Sequence, residues 1–200
     1  MKISVRALGP IKANCYIVDG RLMIDPGDDT AGLDAFIREE GAGIEACVIT
    51  HGHFDHMLGA QHIQKKYGAR LMISRADAPA LESAKKAVTP WDYEDHFTPT
   101  QADELLDEGK REICGIPFEL LLTPGHTPGG LCLLNREAGV LFTGDTLFRF
   151  GYGRTDLPGG DMAQLRRSLM RLLTLDDSLR VYPGHGESAC LKDIKRSFGL

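Results

Sequence analysis

The 200-residue sequence has no apolar run approaching the roughly 20 residues that a membrane span needs, so no membrane association is expected. It also lacks a Lys/Arg run or basic stripe. With 23 Lys plus Arg against 28 Asp plus Glu, the formal net charge is -5. Polyanion recognition depends on clustered positive charge, so nucleic acid is not expected as a partner. The N-terminal residues contain no apolar signal core, and the expected location is the cytoplasm. The five cysteines, at positions 15, 47, 114, 132 and 190, are odd in number, and no pair shows CxxC spacing. That argues against a disulfide framework and fits a reducing compartment. Cys15, Cys47 and Cys132 lie in apolar, strand-like runs and read as small buried hydrophobes. Internal repeats and low-complexity tracts are absent as well.

What is present is the balance of a globular chain, 42% hydrophobic and 26% charged. The length suits one domain over residues 1–200. Short apolar segments at 3–8, 14–18 and 22–25, broken by Gly, Pro or Asp, predict a strand meander. Thr30 is placed to cap a helix with Leu33, Phe36 and Ile37 on its apolar face, stopped by Gly41. Strands are expected at 46–50, 70–74, 113–123, 131–135, 139–143 and 179–182. Helices are expected at 57–67, stopped by Gly68, after the Asp161/Gln164 capping pair, and at 187–198. Residues 79–100, with several acidic groups and the single tryptophan, read equally as a loop over a site or an ordinary connection. Strands outnumber helices and helices follow groups of strands, which predicts an α+β fold of sheets layered with helices.

The chemistry concentrates after one strand, in Thr50-His51-Gly52-His53-Phe54-Asp55-His56. Residues two apart in extended chain point the same way, so His51 and His53 can grip one ion. Asp55 and His56 fall where the next helix begins and can face a second. A polar loop capping a helix explains one histidine there, but not three with an aspartate. Imidazole and carboxylate suit zinc, with iron or manganese as alternatives. His126 in Thr-Pro-Gly-His126-Thr-Pro-Gly, Asp145 in Thr-Gly-Asp145-Thr and His185 in Pro-Gly-His185-Gly each follow a predicted strand. Each alone reads as a turn residue. Their recurrence at four strand ends is how a sheet edge builds a site on its loops. Of the remaining histidines, His62 reads as a solvated helix face and His96 as a loop residue.

These four motifs together resemble the metallo-β-lactamase fold superfamily over nearly the whole chain. The resemblance implies an αββα sandwich with the metal site at one edge between two sheets. It further implies that His51, His53 and His126 hold a first metal, that Asp55, His56 and His185 hold a second, and that Asp145 bridges them. The complete set is similar to the glyoxalase II group of hydroxyacylglutathione hydrolases. The stretch from Gly144 to Gly160 resembles its short bacterial members; the long enzymes carry Lys-x-Tyr where this chain has Arg154-x-Asp156. With Leu200 as the last residue of the sequence, the helical domain that helps the long enzymes hold glutathione is not expected here. The resemblance thus implies a small-molecule thioester substrate and a hydroxide between two metals, oriented by Asp55, as nucleophile. Arg154 is a candidate for a substrate carboxylate or a partner for Asp156. The rival readings are an iron persulfide dioxygenase on the same fold, which shares the Gly-Arg-Thr-Asp element, a lactone or phosphodiester hydrolase, and a non-catalytic metal-binding module. Oligomeric state is not legible.

Overall fold

Alternating apolar residues make β1 (Ile3–Leu8) and β2 (Ala13–Val18) an antiparallel pair in the computed structural model, which describes residues 1–27 and 30–199, with the main chain alone for Trp91. β3 (Leu22–Ile24) pairs antiparallel with β2. β4 (Ala46–Ile49), β5 (Arg70–Ser74) and β6 (Glu104–Leu106) then add in parallel, so the sheet order is β1-β2-β3-β4-β5-β6. β4 is apolar at every position because both of its faces are covered. The second sheet contains β7 (Gly109–Ile113), β8 (Ile116–Leu122), β9 (Leu131–Asn135), β10 (Val140–Gly144), β11 (Arg180–Pro183) and β12 (Ala189–Cys190), in the order β12-β11-β10-β9-β8-β7. Its pairs are antiparallel except β10 with β11.

The two-residue period of the strands sorts the core into layers. Tyr16, Val18 and Val48 from one sheet meet Phe118, Leu133 and Phe142 from the other. Phe142 is fully buried, with ring centroids 5.2 Å from Tyr16 and 5.3 Å from Tyr182. Its truncation to Ala is expected to cost about 3–5 kcal/mol. On the outer face of the first sheet, Cys15, Ile17 and Ile49 pack with Leu33 and Phe36 of α1 (Thr30–Glu40), Met57 of α2 (Phe54–Met57) and Ile63 of α3 (Ala60–Tyr67). On the outer face of the second, Leu121, Leu141 and Val181 pack with Leu165 and Leu169 of α4 (Met162–Leu172) and Ile194 of α5 (Leu191–Ser197). The result is the four-layer αββα sandwich that the family resemblance implies. No described helix is long and apolar enough to cross a membrane.

Several element boundaries differ from expectation for local reasons. The run 113–123 is a hairpin rather than one strand: Cys114 (φ 53) and Gly115 (φ 78) form a two-residue turn with both φ values positive, joining β7 to β8. The helix expected from 57 starts earlier, at Phe54, and breaks before Ala60 at Gly59, which leaves two helices. The helix expected over 187–198 begins only at Leu191, because Ala189 and Cys190 pair with β11 as a strand. Thr30 is the first residue of α1 rather than its cap, and the capping position falls outside the described residues. Gly41 (φ 61) and Gly68 (φ 67) stop their helices in the left-handed conformation, as expected.

Candidate metal centre

All seven predicted side chains converge where β4, β8, β10 and β11 give way to loops. His53 occupies the N-cap of α2 in extended conformation (φ -92, ψ 146) and makes no side-chain cap bond, so its ring is free to face the centre. One turn of helix then delivers Asp55 and His56. His53 Nδ1 lies 2.8 Å from His126 Nε2. His56 Nε2 lies 3.3 Å from Asp55 Oδ2 and 3.3 Å from His185 Nε2. Asp145 sits between these groups, with Oδ1 3.4 Å from His56 Nε2 and Oδ2 3.6 Å from His126 Nε2 and 3.5 Å from His185 Nε2. Three clusters of donor atoms, each within 4.8 Å, result: His51 with His53 and His126, His51 with His56 and Asp145, and Asp55 with His56 and His185.

The imidazoles are held from behind. His56 donates from Nδ1 to Asp25 Oδ2 at 2.9 Å. Thr50 donates its hydroxyl to the same oxygen of Asp25 at 2.7 Å, so that hydroxyl accepts from His51 Nδ1 at 3.1 Å. Asp25 thus orients His56 directly and His51 through Thr50. It is buried and left-handed (φ 55), and it also accepts the Thr50 amide at 2.7 Å. Asp77, buried likewise, accepts the Gly52 amide, the Thr127 hydroxyl and the Gly129 amide at 2.6 to 2.8 Å. It ties the His51–His53 loop to the His126 loop. Sequence reading singled out neither aspartate. The available signal for Asp25 was its Asp-Pro-Gly context at a strand end, which mirrors the Pro-Gly turns beside His126 and His185.

These donors fit metal ions. The Nε2 atoms of His51 and His53 and the Oδ1 of Asp145 are buried without a hydrogen-bond partner, an arrangement that is costly unless something else satisfies them. Burial, reinforced by neighbouring histidines, pushes His51 well below the usual imidazole range and His53 down to about 3, so both present lone pairs. Burial opposes ionisation of Asp55 too, but His56 and His185 outweigh it and hold its carboxyl well below the usual range. Burial works against a charge on His56, yet Asp55, Asp145 and Asp25 raise its proton affinity well above normal. The second cluster therefore attracts positive charge. Backbone space is equally tight: a Cβ on Gly184 would lie 2.1 Å from Asp145 Oδ1 and 2.7 Å from His56 Cε1.

A cavity of about 510 Å³ opens over His53, Asp55, His126, Asp145 and His185. Val88 and Pro90 line it, so the irregular segment 79–100 lies over the site. His96 is not among the lining residues; it is exposed beside Tyr93. Arg154 lines the cavity but pairs two nitrogens with Asp156, at 2.7 and 2.6 Å. His62 is not on a solvated face; it is half-buried against Asp34, 2.8 Å away.

A family model described as the metallo-beta-lactamase superfamily matches residues 8–185. The chain is 32% identical over 211 residues to the hydroxyacylglutathione hydrolase GloC of Haemophilus influenzae, which covers 98% of this chain and 96% of that one. Among solved structures, it is similar to BLEG-1, a B3 metallo-beta-lactamase, with a TM-score of 0.89 and 30% identity over 96% of this chain and 95% of that one. It is also similar to TTHA1623 in a di-iron-bound form, with a TM-score of 0.88 and 35% identity over 97% and 98%.

Proposed function

The chain belongs to the metallo-beta-lactamase superfamily of metal-dependent hydrolases, and we propose that the bond it cleaves is the thioester of a small acyl group. The observation that carries this reading is the set of buried, unpartnered donors of His51, His53 and Asp145 beneath an open cavity. The similarity to a hydroxyacylglutathione hydrolase supports the choice of thioester. In this reading His51, His53 and His126 hold one metal ion, and Asp55, His56 and His185 hold a second. Asp145, whose two oxygens face both groups, spans them. Zinc suits imidazole and carboxylate donors, and iron is the alternative for the same set. Bound there, the ions would make hydroxide available near neutral pH and polarise a carbonyl oxygen.

The protein's own groups supply position and charge. Asp55 stays ionised and is placed to orient the attacking water by accepting its proton in a hydrogen bond. The water oxygen adds to the acyl carbon, the C–S bond breaks, and the products are a carboxylate and a thiol. A thiol has a pKa of about 8.5, so the sulfur leaves without a strong acid beside it. Asp25 and Thr50 keep His51 and His56 in one tautomer throughout.

The test pairs metal analysis of the purified protein with thiol release from S-lactoylglutathione and from N-acetylcysteamine thioesters. The expected result is up to two metal ions per chain and thiol release abolished by chelation. A metal-loaded protein that releases no thiol, but opens a β-lactam or consumes oxygen on glutathione persulfide, would overturn the assignment.

A further inference from the structure

Above the polar floor of the cavity, the wall is apolar: Ile11, Phe54, Val88, Pro90, Phe148 and Leu157. Among the described residues, the one Lys or Arg lining it, Arg154, pairs its Nε and Nη2 with Asp156. Ile11 is 53% exposed at this wall. The adjoining loop presents Phe150, 75% exposed, beside His185. Large apolar side chains left open around a catalytic cavity mark the part of a ligand that they cover.

Val88 gives this wall a second, independent mark. The Thr89 amide donates to the Ala84 carbonyl at 3.0 Å and the Val88 amide to the Lys85 carbonyl at 3.3 Å. This is a Schellman turn, whose left-handed position ordinarily takes glycine. Val88 occupies that position at φ 55. A β-branched residue rarely adopts this conformation, and strain of this kind gathers at functional sites. Glycine would satisfy the turn but would remove an apolar side chain from the cavity wall.

We propose that this wall is an acyl pocket, selective for uncharged, apolar acyl groups, with Val88 as a specificity-determining residue. The inference rests on the thioesterase reading above and narrows it. Among the described lining residues, the wall above the centre offers no Lys or Arg unpaired with a carboxylate and no hydroxyl or amide side chain for a hydroxyacyl group. Selectivity therefore comes from apolar area removed from water.

The test uses N-acetylcysteamine as one neutral thiol carrying acetyl, isovaleryl, lactoyl or succinyl groups, with the metal-loaded protein. kcat/KM is expected to rise about fourfold per buried methylene, hence by about sixtyfold from acetyl to isovaleryl if all three extra carbons are buried and by about fourfold if only one is. The lactoyl ester should fall below isovaleryl and the succinyl ester below all the others. Val88→Gly should bring the isovaleryl-to-acetyl ratio towards one while the thermal midpoint holds or rises, because the turn loses its strain. Leu157→Ala, outside the strained turn, should lower the same ratio, and it stands in if Val88→Gly does not fold. Thiol release with lactoyl or succinyl preferred, or a ratio unmoved in the folded variants, would overturn this inference and leave the thioesterase reading intact. No thiol release from any ester would overturn both.

Discussion

The Nδ1 of His126 donates to the main-chain carbonyl oxygen of Arg154 at 2.7 Å. That bond fixes the tautomer and leaves Nε2 facing His53 and Asp145. Residue 154 therefore has two separable parts: a carbonyl that aims a candidate ligand, and a guanidinium paired with Asp156.

Arg154→Ala is accordingly expected to keep both metal ions, because the carbonyl remains. The lost surface pair should change stability by less than about 1 kcal/mol. Metal analysis and thermal denaturation check this. Loss of one ion on removing the side chain alone would show that the main chain is not what positions His126.

Asp25→Ala is expected to weaken both metal positions, since Asp25 reaches His56 directly and His51 through Thr50. Losing such supporting bonds typically lowers affinity about 10–100-fold. Competition with a graded series of chelators reads the two affinities. An effect confined to one ion would break the link through Thr50.

Asp145→Ala is expected to lower both metal content and activity, which is what the proposed bridging role requires. Gly184→Ala should act in the same direction from behind, because its new Cβ would collide with Asp145 Oδ1 and His56. Full occupancy of both positions in inactive Asp145→Ala would exclude a bridging role.

Away from the centre, Asp34 sets an acid dependence. Burial works against its ionisation, but hydrogen bonds from Lys66, Tyr67 and His62 hold its carboxyl well below the usual range. A carboxyl depressed in the folded state is stabilising above the unfolded value of about 3.9, and that contribution is lost as pH falls through the folded value. Because Lys66 is half-exposed, solvent reduces the effect to about 0.5–1 kcal/mol. Asp34→Asn should lose this amount at pH 7 in urea unfolding and differ less from the parent at pH 3. A gap that widens on acidification would reverse the sign.

The seven converging side chains were legible in the sequence because each lies just past a strand, in a segment marked by glycine. Asp25 and Asp77 were not, because a single aspartate in a turn is ordinary and its role lies in partners distant in sequence, His56, Thr127 and Gly129. Sheets layered with helices followed from the order of strands and helices and the four-layer arrangement from the family resemblance, but the β7–β8 hairpin was hidden by Cys114, an apolar residue in a position that usually takes Asn or Asp. The second strand pairing of Ala189 and Cys190 had no local signal at all. Two residues hold strand geometry there only because β11 lies beside them.

The division of the centre between the two sheets also sets an order of events in time. His51, His53, Asp55 and His56 follow the first sheet's β4, whereas His126, Asp145 and His185 follow strands of the second. An emerging chain therefore exposes four donors long before His185, the last, is synthesised. Neither triad can close until the sheets have docked face to face, so metal uptake comes late and reports docking. A chain that fails to dock its second sheet would on this ground hold neither ion, so metal content also measures correct folding.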